Sequence, residues 1–135
     1  MKKYILNILI FILFTSLSNS QNLDSLYVSR INDTILSKYL NEKRSIEIQL
    51  PRSYDANPDK KYPLMIVLDG DYMFNVVAGS VDYLSYWGDI PENLIVGINQ
   101  KDTRFKDSSV LDNITHTPIT STASFYDFIV NEVIP

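Results

Sequence analysis

The chain is 135 residues long, 45% hydrophobic and 21% charged, a balance that suits one globular domain and excludes a disordered chain. Its formal net charge is −4 and no basic run interleaves with aromatics, which excludes nucleic-acid binding because nothing would neutralise phosphates. With no cysteine and a single histidine, there is no disulfide, no thiol nucleophile and no donor set for a structural zinc ion.

The N-terminus, MKKYILNILIFILFTSLSNSQ, pairs a positive start at Lys2 and Lys3 with an apolar core from Tyr4 to Phe14. Ser18 and Ser20 then supply the small residues of a cleavage site before Gln21. The apolar core is shorter than the roughly 20 residues that span a bilayer. Residues 1–20 are therefore expected to be a cleaved signal peptide, and the protein to be exported, periplasmic or secreted, with no stable membrane insertion afterwards.

Residues 22–38 mix β-branched and polar residues and are expected to include a strand, followed by a hairpin loop at Asn41 to Arg44. In SIEIQLP, Ile46, Ile48 and Leu50 alternate with Glu47 and Gln49, the period of a half-buried strand. Pro51 ends it, and RSYDANPDKKYP reads as a surface loop. Leu64 to Leu68 form a short apolar strand that turns through Asp69-Gly70-Asp71. Met73, Val76, Val77, Ser80, Val81 and Leu84 then recur at helical spacing, predicting a helix over about residues 72–86. ENLIVGIN reads as a second buried strand, residues 100–120 as a long polar loop, and TSTASFYDFIVNEVIP as a helix presenting Phe125, Phe128, Ile129 and Val133. Two apolar strands separated by a helix call for a parallel pair. The fold class is α/β: an antiparallel opening hairpin, then strand–helix–strand–helix, with no strand after the last helix.

Two features invite a chemical reading. Asp69-Gly70-Asp71 could bind a metal, but its spacing lacks the alternate oxygen ligands of a calcium loop. It could instead be a plain strand-to-helix turn, Gly70 taking an unusual backbone angle and Asp71 capping the helix. Its place at the carboxyl end of a parallel strand also suits ligand binding, and N–H groups at a helix start suit a developing oxyanion. His116, the single histidine, is the obvious candidate base, yet no serine lies in a Gly-x-Ser-x-Gly elbow. A histidine in a polar loop is most often simply solvated. Tyr72, Phe74, Tyr83, Tyr86 and Trp87 make the region after the turn aromatic, which fits a pocket lining or core packing equally well.

Taken together, RSIEIQLPRSYDANPDKKYPLMIVLDGDYMF, IPENLIVGINQKDTRF and SFYDFIVNEVIP resemble the front half of the putative-esterase family of α/β-hydrolases. That family includes enterochelin esterases, S-formylglutathione hydrolase, feruloyl-type esterases and secreted mycolyltransferases. The likeness covers about residues 44–135, and residues before 40 match only loosely.

What the resemblance implies is a serine hydrolase acting on small-molecule esters through an acyl-enzyme, without metal or cofactor. The N–H of Asp71, positioned by Gly70, would be one oxyanion donor, and Asp69 would be structural. The second donor, the nucleophile, the catalytic acid and the catalytic histidine belong to family positions beyond residue 135. His116 is then not the family's histidine, and the isolated chain is expected to be inactive. A non-catalytic exported binding module is the alternative, and an unrelated exported structural protein a third. The Leu64–Leu68 strand would also lack its family neighbour, leaving an apolar sheet edge prone to self-association and a chain that is poorly soluble or molten.

Overall fold

The structure, a computed structural model, describes residues 28–57, 59–112, 114–117 and 120–134. The expected signal peptide lies outside the described residues.

The first two strands, β1 (Arg30–Ser37) and β2 (Glu42–Gln49), form an antiparallel hairpin in register from Arg30 opposite Gln49 to Ser37 opposite Glu42. The loop is displaced from the expected Asn41–Arg44. The turn occupies residues 38–41, and Lys43 and Arg44 are already extended in β2. Asn41 closes it with a φ of 53°, a left-handed angle that asparagine tolerates. The Leu40 N–H donates to Ser37 Oγ at 3.0 Å. Arg44 is drawn into the strand because it has a buried acidic partner, described below.

The remaining elements are β3 (Leu64–Val67), α1 (Gly70–Tyr86), β4 (Leu94–Ile98), a short helix α2 (Arg104–Ser108) and α3 (Thr120–Phe128). A π-helical turn at Ile129–Val133 continues α3. The sheet order is β1-β2-β4-β3, with β3 and β4 parallel and the other pairs antiparallel. The parallel pair and the opening hairpin follow the sequence expectation. The helix α2 does not: it lies inside what reads as a polar loop.

Helices cover both faces of the sheet. On one face α1 packs Phe74, Ala78 and Val81 against Val67 and Ile95. On the other, Phe125 and Phe128 of α3 pack with Leu40, Ile46, Val96 and Ile98, with Ile129 and Val133 against the same cluster. The α3 stripe is the expected one. The α1 stripe is rotated: of the residues expected to face the sheet only Val77 and Val81 are in its core cluster, whereas Met73, Val76 and Leu84 are exposed. Close approach decides this. A side chain at Gly97 would meet Phe74 Cδ2 at 2.6 Å, so the Phe74 ring lies directly on the β4 backbone, and Ala78 beside it is fully buried. Two-sided coverage also buries Gln49, expected to face solvent, whose Nε2 donates to Ala78 O at 3.2 Å.

Candidate functional site

Leu68 leads from β3 into the Asp69-Gly70-Asp71 turn. Asp69 is the N-cap of α1 at φ 54° and ψ 42°, and its side chain makes no capping hydrogen bond. The unusual backbone angle therefore belongs to Asp69 and not, as the sequence suggested, to Gly70. Gly70 is required for a different reason. A Cβ there would stand 2.7 Å from Asn99 Oδ1, 2.9 Å from Ile98 N and 3.0 Å from Gly97 C, so the helix start is pressed against the end of β4. A left-handed residue leading into a helix gathers successive N–H groups on one side of the chain. The Tyr72 and Met73 N–H groups donate to Asp69 O at 3.2 and 2.9 Å. Among the described residues none accepts from the Asp71 N–H, an orphan donor of the kind every helix start carries.

Gln100, just beyond β4, holds this turn on both sides. Its Oε1 accepts the Asp69 N–H at 3.1 Å, and its own backbone N–H donates to Asp71 Oδ1 at 3.0 Å. Asp71 thus uses its carboxylate to tie the turn to β4 and does not cap α1. The Asp69 carboxylate accepts from Tyr72 Oη and forms an ion pair with Arg104 Nε, each at 3.2 Å. With both carboxylates engaged by protein donors, the turn is poorly suited to a metal ion. Among the described residues no group of three His, Cys, Asp or Glu is arranged to hold one.

Behind Gln100 lies a buried ionic cluster. Its Nε2 donates to Asp107 Oδ2 at 3.1 Å, and Gln100 and Asp107 are each 1% exposed. Asp107, on α2, also accepts from Thr103 Oγ1 at 2.7 Å, from Arg44 Nη2 at 3.2 Å and, closely, from Arg44 Nη1. Arg44 further donates to Thr103 Oγ1 at 2.8 Å, to Asn99 O at 3.3 Å and to Glu42 Oε1 at 2.5 Å. Burial pushes the Asp107 carboxyl up, but the hydrogen bonds from Arg44, Thr103 and Gln100, with the Arg44 charge, outweigh it and hold the pKa below the usual value. Burial likewise opposes the Arg44 charge, and its bonds to Asp107 and Glu42 overcome that and raise its pKa.

Other sequence candidates lie apart. His116 is exposed, at φ 52°, in a turn where its N–H donates to Asp112 O at 2.9 Å. Ser53 is the serine with the most catalytic-looking company: Tyr62 Oη at 2.8 Å, Lys60 Nζ at 3.1 Å and a close hydrogen bond to Glu92. The hydrogen bond to Glu92 raises the Lys60 pKa, so the amine stays protonated and cannot serve as base. The cluster clamps the Arg52–Pro63 loop. Of the aromatics after the turn only Phe74 is in the core; Tyr72, Tyr83, Tyr86 and Trp87 are exposed, with Tyr83 bordering an open depression shared with Val76, Gly79, Ser80 and Leu84.

The sequence profile described as putative esterase matches residues 37–135. The chain belongs to the putative-esterase family. None of the curated proteins compared with this esterase-family chain matches it. Among solved structures it is similar to an uncharacterised protein from Capnocytophaga ochracea, at 27% identity and TM-score 0.67 over 79% of this chain and 28% of that one. It is equally similar to an IroE-like serine hydrolase from Shewanella oneidensis, at 27% identity and TM-score 0.67 over 79% of this chain and 37% of the other. The enterobactin esterase of Shigella flexneri, at 21% identity and TM-score 0.54 over 80% of this chain and 24% of that one, shares the fold. The esterase-family chain thus spans 24–37% of the length of these structures. Its front-half α/β-hydrolase sheet is the one the sequence resemblance implied.

Proposed function

We propose that this chain forms the oxyanion-stabilising corner of an exported serine carboxylic-ester hydrolase. In the reaction a serine Oγ attacks the ester carbonyl carbon as its proton passes to the catalytic histidine, and the carbonyl π pair moves to oxygen. Collapse of that oxyanion expels the alkoxide, which takes that proton and leaves as the alcohol, giving an acyl-enzyme. Water then releases the acid by the same route. The chain's own contribution is the Asp71 N–H, aimed by the Asp69-Gly70 turn at the position where negative charge develops. The observation that carries this reading is the left-handed Asp69 at the carboxyl end of β3, followed by a helix start whose Asp71 N–H is unclaimed among the described residues. Membership of the esterase family and likeness to a serine hydrolase support it.

The serine, acid and histidine come from sequence outside these 135 residues in this proposal, so the chain alone hydrolyses no ester. Treatment of the 135-residue chain with a serine-reactive phosphonate is expected to give no stoichiometric adduct, and such an adduct would overturn that claim. In a protein joining this chain to a nucleophile-bearing remainder, Asp71→Pro deletes an N–H in the first turn of α1, where no intrahelical bond uses it. It is expected to lower kcat roughly 100–1,000-fold, whereas Asp71→Ala, which keeps the N–H, should cost far less. Equal losses from the two would sink the oxyanion assignment. Export rests on the leader-like residues 1–20, and N-terminal sequencing of the mature protein should begin at Gln21.

A further inference from the structure

The turn does not hold its shape by itself. Asp69 is in a left-handed conformation that costs a non-glycine residue energy, and its neighbour Asp71 is exposed. Gln100 fixes both: one side-chain atom accepts from the Asp69 backbone and one backbone atom donates to the Asp71 side chain. Gln100 is itself saturated. Its carbonyl accepts from Thr103 and Arg104 N–H at 3.0 and 2.8 Å, and its Nε2 is held by Asp107. A buried amide with every group paired has one low-energy position, and that position sets the spacing between the end of β4 and the start of α1.

We propose that Gln100 is the positioning residue of the oxyanion turn, anchored from behind by the Arg44–Asp107 ion pair. This rests on the oxyanion reading of Asp71 for its chemical meaning, though not for its structural content. Gln100 touches no reacting atom in this scheme; it acts through the backbone of residues 69–71. The same residue, alongside the Arg104–Asp69 ion pair, ties the active corner to α2, so a change in the Arg44–Asp107 pair reaches the turn through the Gln100 side chain.

Amide hydrogen exchange resolved by residue tests this in the folded chain. Gln100→Met keeps the length of the side chain and removes both its acceptor and its donor. Exchange at Asp69 is expected to rise about tenfold, the loss of one hydrogen bond, while Ile95, Val96 and Ile98 in β4 keep their rates. Gln100→Glu provides a rescue. Protonated, it offers an acceptor to Asp69 and a donor to Asp107; ionised, it faces the Asp107 and Asp71 carboxylates, with Arg44 and Arg104 as the nearby cations. Burial beside like charge raises such a carboxyl's pKa, so the ratio of its Asp69 exchange rate to wild type should approach one in acid and climb toward neutral pH. Unchanged exchange at Asp69 in Gln100→Met, or a rise shared equally by β4, overturns the proposal, as does a Gln100→Glu ratio that ignores pH. In the ester-hydrolysing protein, Gln100→Met should lower kcat about 10–100-fold with KM little changed. Exchange that responds while kcat does not leaves the positioning role standing and removes the oxyanion reading. Exchange that does not respond removes the positioning role whatever kcat does.

Discussion

At Gly70, one methyl group would collide with Asn99 Oδ1 and with the Ile98 and Gly97 backbone, all within 3.0 Å. Backbone atoms of a central strand cannot move aside cheaply, so Gly70→Ala is expected to destabilise by about 1–3 kcal/mol, read as a lower urea midpoint. Gly79, on the exposed side of the same helix, has no atom within 4 Å of where a Cβ would stand. Gly79→Ala should therefore stabilise by about 0.5–1 kcal/mol through helix propensity alone. The opposite signs at two glycines nine residues apart separate close approach from conformational entropy. Finding both substitutions neutral would mean that α1 does not press on β4 as described.

At the scale of elements, α2 is joined to β2 by the Arg44–Asp107 pair and to the turn before α1 by Gln100. Asp107→Ala would leave the Arg44 charge, which is 3% exposed, with Glu42 as its remaining carboxylate partner, and is expected to cost about 1–3 kcal/mol. The pair also sets an acid limit. Because the folded Asp107 pKa lies below its ordinary value of 3.8, its stabilising contribution is complete above that value and is lost as pH falls through the lower, folded pKa. Glu42 and Glu92 are shifted in the same direction: burial pushes each up, and Lys106 with Arg44, or Ser53 with Lys60, more than offsets it. Thermal midpoints should therefore be level near neutrality and fall as pH drops below about 4, and Asp107→Asn should flatten that fall. A profile of the same slope in Asp107→Asn would assign the acid limit to other groups.

At the scale of the whole molecule, β3 pairs with β4 on one side, and among the described residues no strand pairs with it on the other. Leu64 and Leu68, in and just beyond β3, are 38% and 43% exposed. An apolar edge with open backbone groups is a template for pairing. The 135-residue chain is expected to self-associate at micromolar concentration in sedimentation experiments, and Leu64→Lys to shift it toward monomer. A wild-type chain that stays monomeric and melts in one sharp transition would overturn this.

Much of this organisation is legible along the chain because it is local. Alternation in Ile46, Ile48 and Leu50, the apolar run at Leu64–Leu68 and the Phe125–Val133 stripe each report on their own backbone period. The residue order that resembles the esterase family also pointed to the Asp69-Gly70-Asp71 turn. Contacts between distant segments decided the rest. Arg44 read as a loop residue, and Gln100 and Asp107 as members of a polar loop, because their partners lie elsewhere in sequence and a buried polar residue looks like an exposed one until its partner is in place. The seam of α1 was misplaced for the same reason: hydrophobicity favoured Met73 and Val76, but only the bare backbone at Gly97 selects Phe74. The sequence by itself determined the order and type of the main strands and helices and the family, since these follow from local periodicity and motif order. Only the tertiary structure decided which angle Asp69 takes, why Gly70 must be small and what holds the turn, because each is fixed by atoms that the fold alone brings within 3 Å or so of one another.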